Sequence, residues 1–316
     1  MKVLMLSAAD RMQHGQFLLT GLRQNIGTCE YFPLTKPQQN NIEQFFSSFI
    51  TLQRFDRIIM ELPQEVIYRQ SLFLRGLPFM ASLNLNQPYD RKERTFLKSN
   101  LKAMPWLRVV TDDLNLYSDL IGEGVDTAWI TPSLNPNAFK PKNQVSSRNR
   151  VIVFDPSGVV RPVYETMFAA KYSSQEAWDM WEFCDAGDDL SIRINSKDIF
   201  IYWPDSLTET PTPMIEAVNC GAAIVCPDFG VHINKYYQWR NEHNCLFVNT
   251  VDTALETAMI LLEEYEFRAK LSRHSLEGAR RFSALAAGEE LGEALKPDIR
   301  KSSDYRRRVR IFGLEI

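Results

Sequence analysis

Two carboxylates, Glu209 and Glu216, stand seven residues apart around a turn rich in proline and threonine, within residues 204–226. Carboxylates are good acceptors for the hydroxyls of a sugar. After the turn the chain reads as a short helix with Pro213 in its first turn and Gly221 at its end, feeding an apolar run over residues 222–226. Proline suits a first helical turn because its missing N–H would be unpaired there anyway. Glycine suits the left-handed residue that closes a helix. The apolar run has the character of a parallel strand buried on both faces. A loop that feeds a helix start offers free N–H groups and a positive dipole end, and so attracts phosphate. Together these features describe a pocket for a sugar joined to a phosphate.

The elements that must position this segment follow from periodicity. Short apolar runs alternate with helical patterns, which argues for parallel βαβ units. Residues 3–6, 57–61, 79–82, 109–111 and 128–130 read as strands of a first domain of about five strands. Phe17, Leu18 and Leu22 mark one helix face, and Ile42, Phe45, Phe46 and Phe49 another buried one. Residues 131–149, rich in proline, asparagine and serine, read as a linker. Residues 151–154, 190–194, 199–203, 222–226 and 245–248 then supply a second sheet. The expected fold is α/β: two doubly wound, Rossmann-like domains facing a cleft, with ligands at the carboxyl ends of the strands. The boundaries are 1–140 for the first domain, 150–283 for the second, and 284–316 for a crossing helix and basic tail.

Residues 204–226 resemble the donor-binding signature of the retaining glycosyltransferases of family 4, which have the GT-B fold. Their usual pattern is Ser-x-x-Glu-Gly-Phe-Gly, four residues, then Glu-Ala-x-x-x-Gly-x-Pro-Val-Val. Ser206, Glu209, Glu216, Ala217, Cys220, Gly221, Ile224 and Val225 match in type. Asp228-Phe-Gly230, Asn244-Cys-Leu-Phe-Val248 and Arg281-Phe-Ser283 extend the likeness, which covers residues 105–283. The chain departs from the pattern in two places. The family sets its two glutamates eight apart, a spacing that lands on Thr208 rather than Glu209, and Thr210-Pro-Thr212 replaces Gly-Phe-Gly. Backbone approach to the sugar is then less free.

The resemblance implies roles. Glu216 would accept hydrogen bonds from the nucleotide ribose, and Glu209 or Thr208 would hold the transferred sugar, with Thr210 and Thr212 in the donor loop. The diphosphate needs a cation where negative charge builds; the family places one after the first strand of the second domain, where Arg161 stands, with Lys171 ten residues on. In the first domain the loop after the first strand carries Gly15 for backbone approach and His14 as a catalytic candidate. The family's histidine at the end of a middle strand has no counterpart in residues 83–87. Each residue also has a plain structural role open to it: a dipole-favoured glutamate, a solvated carboxylate, a surface cation or a capping histidine.

Composition bounds the rest. The chain has 316 residues, enough for two cores, with 45% hydrophobic and 24% charged residues. A net charge of −3 implies no global pull toward polyanions. Five cysteines without a C-x-x-C pair fit reduced, buried thiols in a cytoplasmic protein. The opening Met-Lys-Val-Leu-Met-Leu is too short for a signal peptide, and no run is long enough for a transmembrane segment. The aspartate pairs Asp112-Asp113 and Asp188-Asp189 read as loop or capping residues, Asp112 as the cap of the next helix, so no metal and no cofactor are expected. Arg306, Arg307, Arg308 and Arg310 in the tail could meet a polyanion, either a nucleic acid or an anionic lipid surface. The expectation is a glycosyltransferase that moves a sugar from a nucleotide-sugar donor to an unidentified acceptor with retention, with a glycan, a lipid-linked sugar or a nucleic acid all open as acceptor. A non-catalytic GT-like binding protein and a GT-B sugar-nucleotide epimerase are the alternatives.

Overall fold

In the computed structural model the described residues are 1–50, 55–77, 79–85, 91–134, 150–171, 179–185, 190–195, 197–207, 211–296, 310–311 and 314–315. The chain forms two compact units, Met1–Ser133 with Ala284–Ile316, and Leu134–Ser283.

The first unit is built on six parallel strands: β1 (Lys2–Ala8), β2 (Thr28–Leu34), β3 (Arg57–Glu61), β4 (Met80–Asn84), β5 (Arg108–Thr111) and β6 (Thr127–Trp129), in the order β2-β1-β3-β4-β5-β6. Strand geometry sends alternate side chains to opposite faces. Val3 and Met5 accordingly pack with Leu18 and Leu22 of the helix Met12–Ile26, whereas Leu4 and Leu6 pack with Ile42, Phe45 and Phe46 of the helix Ile42–Phe49. Phe49 leaves that buried face: it is 66% exposed and stacks on Phe45. As the last residue of its helix it stands past the edge of the core.

The helix Ala284–Ala294 belongs to this unit and lies against Met12–Ile26. Their backbones touch at two glycines. A Cβ on Gly288 would sit 2.4 Å from the Leu18 carbonyl oxygen, and one on Gly21 would sit 2.1 Å from that of Leu285. Thr131 ties the same helix to the end of the sheet through Glu290, with its hydroxyl donating at 2.9 Å.

The second unit carries five parallel strands: β7 (Val151–Phe154), β8 (Trp181–Cys184), β9 (Ile199–Tyr202), β10 (Ala223–Pro227) and β11 (Leu246–Val248), in the order β11-β10-β9-β7-β8. Helices Val160–Lys171, Thr212–Cys220, Gly230–Tyr237, Val251–Glu263 and Tyr265–Ala279 flank them.

Three sequence expectations are corrected. The first sheet has six strands, because Thr28–Leu34 is an edge strand whose mixed burial and Pro33 hide it from an apolar-run search. Leu190–Ile194 is a helix, not a strand: Leu190 and Ile194, four apart, are its buried pair, and Trp181–Cys184 takes the place in the sheet. Asp113, not Asp112, caps the helix Leu114–Gly122, accepting from the N–H groups of Asn115 at 2.8 Å and Leu116 at 3.0 Å. The five cysteines are buried thiols outside any disulfide. Burial pushes the Cys29 thiol up to about 12 and raises Cys226 well above its ordinary value, so neither is a ready nucleophile. Among the described residues no helix is long and apolar enough to cross a membrane.

Candidate functional site

In the second unit a row of rings follows the carboxyl ends of the strands. Phe154 ends β7 and stacks on Tyr202, the last residue of β9, at 5.5 Å between centroids. Tyr202 stacks on Phe229, just past β10, at 5.9 Å, and Phe229 meets Trp239 at 5.3 Å. All four are less than a tenth exposed. They form a continuous row of buried rings at the carboxyl ends of β7, β9 and β10.

The loop after β7 turns through Asp155-Pro-Ser-Gly158, with Gly158 at φ 69°, in the left-handed region that suits glycine. Asp155 is 6% exposed, and its carboxylate accepts from three consecutive N–H groups: Val159 at 3.0 Å, Val160 at 2.8 Å and Arg161 at 3.3 Å. Those donors open the helix Val160–Lys171, so this helix start is already satisfied by an anion from the chain itself. Arg161 points outward. It is exposed, its guanidinium lies 3.7 Å from Glu165 one turn on, and it sits over the Phe183 ring at 5.4 Å.

The junction after β9 is built differently. The helix Thr212–Cys220 begins after Pro211, whose side chain makes no cap hydrogen bond, with Pro213 in its first turn. Met214 and Ile215 donate backward to the Pro211 carbonyl, at 3.0 and 3.1 Å. Gly221 closes the helix at φ 80°, and a Cβ there would press on Leu276 at 3.0 Å. The sequence marked both ends of this helix. Met214, Ile215, Ala217 and Val218 are buried, while Thr212 and Glu216 are half-buried. After β10, the Asp228 carboxylate accepts from Gly230 N–H at 2.8 Å and from the Asn234 amide at 2.7 Å, which fixes the turn into Gly230–Tyr237.

The second unit thus holds Glu216, Thr212 and Arg161. Thr208, Glu209 and Thr210 lie outside the described residues, as do Asp188, Asp189, Arg306, Arg307 and Arg308. Lys171 is the last residue of the helix Val160–Lys171. His14 and Gly15 belong to the first unit, and there the expected loop is a helix: β1 runs to Ala8, a 3-10 turn covers Ala9–Arg11, and Met12–Ile26 follows at once. Arg310 lies in a two-residue strand paired in register with Glu315. Among the described residues no group of three His, Cys, Asp or Glu side chains is placed to hold a metal.

Sequence reasoning missed the Asp155 cap and the ring row. The first had a signal, since an aspartate before Pro-Ser-Gly is a turn-and-cap pattern. The second had none, because its rings come from four separate segments.

No protein-family model matches the chain, and no curated protein matches it by sequence. Its fold does match solved structures. The structure of the Anabaena protein HepE in complex with UDP is similar at 12% identity and a TM-score of 0.60, over 93% of this chain and 99% of that one. The same protein in complex with UDP and glucose matches at 13% identity and a TM-score of 0.58, with the same coverage. A glycosyltransferase from Rickettsia africae matches at 11% identity and a TM-score of 0.59, over 92% of this chain and 97% of that one. At these identities the likeness is one of fold, and it agrees with the fold class read from the sequence: the chain has the two-unit, parallel-sheet GT-B architecture of glycosyltransferases.

Proposed function

We propose that the chain is a glycosyltransferase that takes a sugar from a nucleotide-sugar donor. The observation that carries this reading is the junction after β9. The helix start behind Pro211 sits there one turn from the half-buried Glu216, at the carboxyl edge of a parallel sheet. Pro211 and Pro213 have no N–H and those of Met214 and Ile215 turn back to the Pro211 carbonyl, so the start would meet the donor diphosphate through the Thr212 N–H and the positive end of the helix, and Glu216 suits the ribose hydroxyls. Thr208 or Glu209, with Thr210 and Thr212, would line the sugar end of the same loop. Arg161 would meet the charge that develops on the leaving diphosphate by swinging from Glu165 toward it. The solved structures of similar fold that hold UDP, UDP with glucose, and UDP-glucose make a UDP-sugar the first donor to test.

No side chain is assigned as a nucleophile, so catalysis rests on positioning and on the stabilised leaving group, with retention at the anomeric carbon. His14 and Gly15 are proposed on the acceptor side, and the arginines of the tail toward a polyanionic acceptor. The proposal places no metal on the diphosphate.

A second reading is a GT-like protein that binds a nucleotide sugar without turning it over. The exposed Arg161, paired with Glu165, favours it. Thermal unfolding with UDP-, GDP-, ADP- and dTDP-sugars separates the readings from each other and from neither. A donor that binds only the folded state raises Tm, by about 2.7 kcal/mol of stability at a hundredfold excess over Kd. Tm shifts with release of free nucleoside diphosphate support the enzyme, shifts without release support the binding protein, and no shift with any donor rejects both.

A further inference from the structure

In the first unit the helix Gln64–Arg69 is followed, after one residue, by the short helix Ser71–Leu74. Backbone bonds cross the break: the Gln70 N–H donates to the Val66 carbonyl at 3.2 Å, and the Leu74 N–H to that of Gln70 at 3.0 Å. Helical spacing carries through, so residues three or four apart share a face. Ile67 and Leu74, seven apart, are wholly buried in the core. The next row round is Tyr68, Leu72 and Arg75, spaced by four and three, and it is exposed. Leu72 is 83% exposed and Tyr68 45%. The outward face of a surface helix ordinarily carries polar side chains. The helix Ile42–Phe49 packs alongside, with Phe46 against Phe73 at 5.4 Å, and it ends on the exposed Phe49.

The charges around this row are mainly basic. Residues 64–103 carry seven Lys and Arg against three Asp and Glu, in a chain whose net charge is −3. The helix Arg91–Ala103 borders the row: Phe96 meets the Tyr68 ring at 5.5 Å, and the Lys92 ammonium lies 5.9 Å over Phe96. Elsewhere on that helix Arg94 and Lys98 are matched by Asp119 and Glu123, each at 2.8 Å. Beside the exposed row the match fails. Arg69 and Lys92 share the single carboxylate of Glu65, and Arg75 has no side-chain partner among the described residues.

We propose that the row Tyr68–Leu72–Arg75 docks the first unit on an anionic lipid surface. Leu72 and Tyr68 enter the boundary between headgroups and acyl chains, and Arg69, Arg75 and Lys92 meet the headgroups. Apolar tips ringed by long cationic side chains suit such a boundary, where the stems lie in apolar surroundings and the charges stay among the headgroups. Each basic side chain near the surface adds attraction. A nucleic acid rewards the cations through its phosphates but offers an exposed leucine nothing comparable, so the apolar tips decide between the two polyanions. The inference is independent of the reaction proposed above.

Flotation of the full chain with phosphatidylcholine vesicles, with and without about a third phosphatidylglycerol, tests it. The chain should float with the anionic vesicles and not with the neutral ones, and added salt should weaken the binding. Leu72→Asp and Arg75→Glu, both at exposed positions, should each weaken binding to the anionic vesicles about tenfold or more, with Tm unchanged. A variant with Arg306, Arg307, Arg308 and Arg310 all changed to Gln should bind as the wild type does. No flotation, equal flotation with both vesicles, full binding by Leu72→Asp or loss of binding in the tail variant would overturn the proposal. So would a dimer that Leu72→Asp dissolves, or duplex DNA held by this face in place of vesicles.

Discussion

The junctions after β7 and β9 are both strand–loop–helix units at the same edge of one sheet, and they treat the helix start in opposite ways. After β7 the chain fills it with its own Asp155 carboxylate, which takes three N–H donors. After β9 the helix opens behind Pro211, whose side chain makes no cap hydrogen bond, with Pro213 in its first turn. A self-capped start is stable and inert toward anions. The second start has two prolines without an N–H and two N–H groups turned back to the Pro211 carbonyl, so it offers an anion the Thr212 N–H and the positive end of the helix dipole. On the proposed reading the diphosphate meets the second junction, beside Glu216, and the first junction acts through a side chain, Arg161.

The sharpest test of that division is Arg161→Ala. If this residue stabilises the leaving diphosphate, turnover should fall on the order of 10²-fold or more. Measured as nucleoside diphosphate release at saturating donor, near-normal turnover would take the first junction out of the chemistry.

Next in size is Glu216→Ala. Removal of a charged acceptor for ribose hydroxyls should weaken donor binding by roughly 1.5–3 kcal/mol, or about 10- to 150-fold. Calorimetric titration with a UDP-sugar reads it directly. Unchanged affinity in a folded variant would leave the second junction without its ribose partner.

How far the sequence reveals these junctions depends on whether the signal is local. Pro213 and Gly221 mark both ends of the helix Thr212–Cys220, because each acts through its own backbone geometry. The strands buried on both faces stand out as apolar runs, as in Ile199–Tyr202 and Ala223–Pro227. Elements whose burial is decided by distant partners are hidden. Thr28–Leu34, an edge strand, is broken by Glu30 and Pro33 and so shows no apolar run, and Leu190–Ile194 alternates like a strand although its register is helical. Trp181–Cys184 places Glu182 between its aromatic residues, where it pairs with Lys197 at 2.5 Å, a contact that no pattern in either segment announces. The ring row from Phe154 to Trp239 is likewise a product of topology. The Asp155 cap was legible but ambiguous, since Asp-Pro-Ser-Gly also describes a plain turn.

The smallest effects separate the two things Asp155 supplies. Asp155→Ala removes both acceptor oxygens, which leaves three N–H groups to water, and should cost about 0.5–2 kcal/mol of unfolding free energy, as lost N-caps do. Asp155→Asn keeps one acceptor oxygen, so it should lose the dipole contribution of the charge, about 0.3–1 kcal/mol, together with the bonds of the other oxygen, while the alanine form loses all three. Urea titration of the two variants resolves the difference if the alanine form is the less stable. Equal losses would mean that charge rather than hydrogen bonding fills this helix start. Donor binding should stay unchanged in both, because the diphosphate is assigned to the other junction. A tighter UDP complex in Asp155→Ala would break the contrast: the emptied start would then have become a second anion site, and Asp155 would be a competitor of the donor rather than a cap.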